Sequence, residues 1–460
     1  MISCGGPRRR RRPSCHNQQP VSRPVPDRSP PRAGPFVPFT DERLDNGLRL
    51  ILSEDRLAPV AAVNLWYDVG SKHEQSGKTG FAHLFEHIMF QGSRHVAKTE
   101  HMGLIQAVGG TCNATTWLDR TNYFETLPSH QLELALWLEA DRLATLLDAL
   151  SQANLDNQRE VVKNERRLRY DNQPYGLAYE KLQAALFPPD HPYHHSTIGS
   201  MEDLDAASLE DVRGFFRTWY APNNAVLSIA GDFDPAQARS WVDRHFGPIP
   251  PNPAIPALPP TDLPPRIGAE YRERVVDDVP LARLHLGFRA PVFGDPAFEA
   301  LEVAAQILAG GRGSRLHRRL VREERIAQDV SAAAFGLVGG GSMFVVVATA
   351  AAEAPIERVE TACLEELDRI AGESVSPDEL ARAQALIETS ELAALQQVEE
   401  RADRLSMFAT LLDDPGRINT HLSRYVAVDA DAVLDVSRTV VALDNRAVIT
   451  YVPSGSGGET

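Results

Sequence analysis

Cysteine is scarce and scattered in this chain. Cys4, Cys15, Cys112 and Cys363 form no C-x-x-C pair and no dense framework, which excludes a disulfide-stapled scaffold and a cysteine-rich zinc site. Long apolar runs are also missing: uncharged stretches such as 343–352 are far too short to span a bilayer, so no transmembrane segment is expected. There is no excess of positive charge either. A formal net charge of −15 argues against nucleic acid as a partner. The first residues lack the apolar centre of a secretory signal and the amphipathic, Ser-rich pattern of a transit peptide. They are rich in Arg and Pro instead, with arginine at every position from 8 to 12, and residues 1–38 are expected to be a disordered arm. A start codon placed too far upstream would look the same and would hide a targeting signal, leaving cytoplasmic and periplasmic or exported locations open.

What remains is ordinary for a folded protein, with 43% hydrophobic and 24% charged residues. A chain of 460 residues exceeds one ordinary core and calls for two or more domains. Against this background the string His83-Leu84-Phe85-Glu86-His87 stands out. On a helix, two imidazoles one turn apart share a face and can bind one metal ion. Glu86, between them, can hold a water molecule against that metal, which is equipment for hydrolysis. Histidines also occur in such settings with no ligand role, so a third ligand decides the matter. Residues 157–167 offer Glu160 and Glu165 on a second expected helix.

The order of elements suggests a duplication. An Asn46-Gly47 turn leads into a strand that ends at Leu52, a second strand covers 60–67, and a loop over 70–80 precedes the helix bearing the histidines. Helices are expected over 132–150 and 156–170, and a strand over 224–231. Residues 248–266 are so rich in proline that they read as a semi-rigid linker, neither helix nor central strand. Beyond it the second half repeats the theme: a strand over 282–288, a helix over 297–308, a basic helix over 314–324 after a Gly-rich loop, a strand over 341–349, helix over much of 377–412 and a last strand over 446–451. This half has no H-x-x-E-H, so metal chemistry belongs to the first. The domain expectation is an arm over 1–38, a zinc-binding catalytic domain over 39–247, a linker over 248–266, an inactive homologous domain over 267–455 and a polar tail over 456–460.

With these residues in hand, the chain resembles peptidase family M16, the pitrilysin, insulinase and mitochondrial-processing-peptidase group, whose H-x-x-E-H motif inverts the usual zincin order. In that family the third ligand is a Glu closing a stretch similar to E-R-x-V-V-x-x-E. Here the stretch is Gln158-Arg159-Glu160-Val161-Val162-Lys163-Asn164-Glu165, so the resemblance selects Glu165, 78 positions beyond His87 (165 − 87), over Glu160. Gly109-Gly110-Thr111-Cys112-Asn113-Ala114-Thr115-Thr116, with Asp119-Arg120-Thr121-Asn122-Tyr123, is similar to the family's substrate-pairing edge strand. His191-Pro192-Tyr193, Ile198-Gly199, Tyr220-Ala221-Pro222-Asn223-Asn224 and Gly231-Asp232 also match. The likeness runs roughly from Phe39 to Val452.

The resemblance implies an α+β chain of two homologous α/β sandwich domains. Each would have a mixed, mainly antiparallel sheet with helices on one face, in a LuxS/MPP-like metallohydrolase fold with a clamshell arrangement. It implies one Zn2+ per chain held by His83, His87 and Glu165, with Glu86 as general base for peptide-bond hydrolysis. Asn113, Ala114 and Thr115 would capture an extended peptide through its backbone. Two departures stand out. Gln158 occupies the place of an outer-shell Glu, and a neutral amide hydrogen-bonds without sharing charge. Active relatives also grip substrate with an Arg and a Tyr from the second half, in R-E-x-R-G-L-A-Y. Here Arg322 is present, but Gln328 stands near the Tyr position. The expectation is therefore a metal-bearing subunit of a homo- or heterodimer whose partner, an M16-like chain, carries the Arg/Tyr pair. The alternative is a non-catalytic structural or peptide-binding subunit of the same fold.

Overall fold

In the computed structural model, residues 36–258 and 261–454 are described. Most of the expected N-terminal arm and all of the expected polar tail lie outside the described residues. Six strands form the first sheet: β1 (Thr40–Arg43), β2 (Arg49–Glu54), β3 (Val60–Tyr67), β4 (Thr111–Thr116), β5 (Thr121–Pro128) and β6 (Ala225–Gly231), in the order β1-β2-β6-β3-β5-β4. Only β2 and β6 run parallel; the other pairs are antiparallel. Five strands form the second: β7 (Tyr271–Asp277), β8 (Arg283–Ala290), β9 (Ala327–Phe335), β10 (Ser342–Ala350) and β11 (Arg446–Pro453), in the order β7-β11-β8-β10-β9. Only β7 and β11 are parallel. Setting β1 aside, each half lays its first, fifth, second, fourth and third strands side by side. The duplication is therefore one of topology, and the third strand of each half, β4 or β9, forms one edge. No helix among the described residues is long and apolar enough to cross a membrane.

The central strands do not alternate. Every residue of β6 is buried, as are all of β2 except Glu54 and nearly all of β3, the pattern of strands covered on both faces. On one face the first sheet carries its own helices, with Ala61, Val63, Leu65 and Tyr67 facing Phe81, Phe85, Leu136 and Leu143 in a single core. The other face is covered from the opposite half. Ile51, Trp66 and Val226 pack against Leu405, Phe408 and Ala409 of the helix Val398–Leu411. The reciprocal contact also exists. Helix Ala178–Leu186 of the first half lays Ala178, Leu182 and Leu186 on Met343, Val345, Ala447 and Ile449 of the second sheet. A Cβ at Gly287 of β8 would lie 2.7 Å from Leu182 Cδ2, so glycine there lets the helix close on the strand.

Polar groups fix the crossing in register. Asp403 on the crossing helix accepts hydrogen bonds from Asn64 Nδ2 (3.0 Å), Trp66 Nε1 (2.9 Å) and Asn122 Nδ2 (3.1 Å), all on the first sheet. A carboxylate receiving several donors is held in one position. The proline-rich stretch contains no helix or strand among its described residues, and is tied back through Asn252 Nδ2 to Thr218 O (2.8 Å) and Asn223 Nδ2 to Asn252 O (2.8 Å). The helical stretch expected over 377–412 is two helices, Pro377–Ala394 and Val398–Leu411, and only the second crosses over. The basic helix expected over 314–324 is largely a π-helical turn, His317–Glu323.

Because Phe408 is fully buried between the halves, Phe408→Ala is expected to cost about 3–5 kcal/mol. Urea unfolding should show this as a lower midpoint in one shared transition; loss of only part of the signal at the lower midpoint would mean that the halves unfold independently.

Candidate active site

Helix Phe81–Ile88 is short and sharply two-faced. Phe81, Ala82, Leu84, Phe85 and Ile88 are buried, while His83, Glu86 and His87 occupy the remaining stripe. The Phe85 ring sits on an aromatic cushion, 5.5 Å from Phe215, 5.7 Å from Phe216 and 5.1 Å from Tyr220 between ring centroids. Burying that side turns both imidazoles outward with their rings edge to face, 4.9 Å apart. The second helix, Gln152–Arg166, starts at a capping box between Ser151 and Asn154. Its buried stripe runs Leu155, Gln158, Val162, and the next position on that stripe is Glu165.

Glu165 Oε2 lies 3.8 Å from His83 Nε2 and 3.2 Å from His87 Nε2. Ligands on a tetrahedral zinc ion stand about 3.3 Å from one another, given bonds of about 2.0–2.1 Å; the His87–Glu165 separation is close to this, and the three ligand atoms all lie within 4.8 Å of one another. Other observations agree. Burial, with the neighbouring His87 adding to it, pushes the pKa of His83 down to about 4, which keeps its ring neutral and able to ligate. The hydrogen bond with His87 holds the Glu165 carboxyl below its ordinary range despite burial. Its second oxygen is occupied by Arg169 Nη1 at 2.7 Å. Glu160 points to solvent and pairs with Lys163 at 3.3 Å. A second group, His101, Glu125 and Glu139, also has close ligand atoms. There the buried Arg142 already pairs with Glu139 through Nε (2.9 Å) and Nη2, so a cation is in place.

Glu86 accepts a hydrogen bond from Thr116 Oγ1 at 2.6 Å. Burial raises its pKa above the ordinary carboxylate value, against the pull of that hydroxyl. Thr116 is in β4, an edge of the sheet paired only with β5. The N–H of Ala114 turns away from β5 and is met by Asn113 Oδ1 of its own strand at 2.9 Å. Backbone groups alternate along a strand, so Cys112 and Thr116 share that free side with Ala114, whereas Asn113 and Thr115 point theirs at β5. Thr115 Oγ1 donates to Asn122 Oδ1 (2.5 Å). Arg120 Nη1 donates to Thr115 O (3.0 Å) with its guanidinium 4.8 Å above Trp66.

No hydrogen bond joins Gln158, Arg322 or Gln328 to the histidine pair among the described residues. Gln158 lies on the stripe leading to Glu165, but its side-chain hydrogen bond goes to Asn157 Oδ1 (3.0 Å) and neither histidine receives one from it. Arg322 is exposed in the π-helical turn, and its side chain has no hydrogen bond or ion pair among the described residues. Gln328 is exposed on β9 where the pairing with β10 shifts register. Sequence reasoning missed Thr116 and Arg169. Each had a signal: Thr116 is two residues from Ala114 on one strand, and Arg169 is one turn beyond Glu165.

Two family profiles match, "Insulinase (Peptidase family M16)" over residues 49–197 and "Peptidase M16 inactive domain" over residues 206–387. The zinc protease PqqE of Helicobacter pylori is 31% identical over 287 residues, which cover 62% of this chain and 64% of that one, just under two thirds of its length. A zinc protease of Mycobacterium leprae is 30% identical over 309 residues, 66% of this chain and 68% of that one. Among solved structures, a protease from Helicobacter pylori superposes with a TM-score of 0.84 at 24% identity, covering 91% of this chain and all of that one. Family profiles, relatives and fold agree: the chain belongs to peptidase family M16.

Proposed function

We propose that the chain is a zinc-dependent endopeptidase acting on extended peptides or small unfolded proteins. The observation that carries this reading is the placement of Glu165 Oε2 within 3.8 Å of His83 Nε2 and 3.2 Å of His87 Nε2, both histidines lying on the helix stripe that also carries Glu86. His83, His87 and Glu165 would hold a zinc ion, which when bound would supply Lewis acidity towards water and a carbonyl oxygen. The chain's own residues do the rest. Thr116 Oγ1 fixes Glu86 Oε2, leaving the other carboxylate oxygen to take a proton from the attacking water and deliver it to the leaving amine nitrogen. The raised proton affinity of Glu86 suits both transfers. Asn113 holds the edge donor of Ala114 until a peptide carbonyl replaces it, so substrate adds to β4 as another strand. Backbone pairing carries little side-chain preference, which fits a site that takes many sequences.

Within this reading the chain is the metal-bearing member of a pair. Its second half offers an unpaired Arg322, but Gln328 has no phenolic hydroxyl to give. A partner of the same fold bearing the Arg/Tyr pair completes substrate grip.

Three measurements check these statements. Glu86→Gln should keep about one zinc per chain while hydrolysis of an unstructured peptide falls at least ~100-fold; unchanged hydrolysis would exclude Glu86 as the base. Ala114→Pro removes one edge donor at a position where the N–H is not used by β5. It should raise KM roughly two- to tenfold with kcat little changed, the worth of one hydrogen bond. An unaltered KM would rule out pairing there. Finally, the purified chain should cleave peptide more slowly alone than with a second chain of this fold that has the Arg/Tyr pair and lacks H-x-x-E-H. A solo rate that no such partner changes would sink the two-chain reading.

A further inference from the structure

The helix that carries both histidines begins without a cap of its own. Its N-cap residue is Gly80, at φ +88° and with no side chain to receive the first free amides. A helix of eight residues leaves a large share of its donors unpaired at that end. The missing acceptor comes from six residues upstream. Glu74, whose side chain is fully buried, accepts from Gly80 N (2.8 Å) with Oε2 and from Ala82 N (2.7 Å) with Oε1. His195 Nε2 donates to Oε2 as well (2.9 Å). Glycine at 80 is required by the approach of a neighbouring turn: a Cβ there would lie 2.7 Å from Ile198 O, and one on Gly199 would lie 2.3 Å from Gly80 N.

Glu74 also ends a segment bound to the edge hairpin. Ser71 N donates to Trp117 O (3.3 Å), Lys72 N to Leu118 O (3.0 Å), and Lys72 Nζ to Asp119 Oδ1 (2.9 Å). Residues 117–119 form the turn joining β4 to β5. The same short segment thus grips the turn of the substrate edge at one end and the amides of the histidine helix at the other.

We propose that Glu74, steadied by His195, is a positioning residue for the metal centre: its carboxylate caps helix Phe81–Ile88 and sets His83 and His87 at the height where they meet Glu165, in fixed relation to β4. The proposal rests on the metal reading above and adds the group that holds the ligands in place. A buried carboxylate at a helix N-terminus gains from the dipole as well as from its hydrogen bonds. Glutamine at this position keeps the volume but presents an amide, which cannot accept from three donors through two oxygens.

Zinc affinity of the full chain, measured by competition with a chromophoric chelator, tests this on the wild type, Glu74→Gln and His195→Gln, each checked for folding by circular dichroism. The expected result is roughly ten-fold weaker zinc binding for Glu74→Gln. His195→Gln, which retains a side-chain donor for Glu74, should lose less. In metal-free protein, amide hydrogen exchange over residues 84–87 should quicken in Glu74→Gln while helix Gln152–Arg166 is unchanged. A folded Glu74→Gln chain that melts earlier yet binds zinc within about twofold of the wild type and protects the helix equally has a merely structural carboxylate, and the proposal falls. Should Glu74→Gln not fold, His195→Gln decides by the same comparison. A wild-type chain that takes up no zinc overturns the metal reading itself, a result distinct from equal affinities in wild type and variant.

Discussion

Covering each sheet on both faces is the constraint on which the other features depend. A five- or six-stranded sheet with apolar residues on both sides must bury both, and a single half has helices for only one. The molecule resolves this by exchange: helix Val398–Leu411 lies on Ile51, Trp66 and Val226, and helix Ala178–Leu186 lies on Met343, Val345 and Ile449. Neither half is complete without the other. At about 25 cal/mol per Å2 of apolar surface, side chains such as Phe408 and Leu182, fully buried at these crossings, hold the two halves together. Within that packing two helices bring His83, His87 and Glu165 together, and Glu74 caps the first of them.

The first half spends its remaining freedom on the site. Phe85 turns inward onto Phe215, Phe216 and Tyr220, which forces His83, Glu86 and His87 outward together. The chemistry is divided between oxygens: on Glu165 one faces the histidines and the other meets Arg169, and on Glu86 one is held by Thr116. Burial does the electrostatic preparation, lowering the proton affinity of His83 and raising that of Glu86. An imidazole kept neutral and a carboxylate with raised proton affinity suit the metal-ligand and proton-shuttle roles proposed for them.

Duplication followed by division of labour explains the asymmetry of the halves. The strand orders superimpose, and β4 and β9 are equivalent edges. Yet β4 is a plain edge whose outward donor at Ala114 is met only by Asn113 of its own strand, while β9 carries a register shift at Gln328. Such irregular edges resist strand addition. One edge is regular and its counterpart is blunted, and the second half contributes cover for the first sheet and the exposed Arg322.

The sequence by itself determined the local facts. His83, Glu86 and His87 share a face because three- and four-residue spacing does so on any helix, and Glu165 follows Leu155, Gln158 and Val162 along one stripe for the same reason. The proline-rich stretch forbids regular structure through its missing donors. The family resemblance supplied the pairing of these stripes and the edge role of residues 113–115. Strands β7 and β9 escaped notice because β7 is mostly exposed and β9 is polar at its start, so neither shows a clear apolar pattern. Other facts needed the tertiary structure, because they join residues far apart in the chain. Asp403 reaches Asn64 and Trp66, Thr116 meets Glu86, and Glu74 caps a helix through amides that no spacing rule assigns to it. Periodicity reports which way a side chain faces along its own element; only packing decides what it then faces.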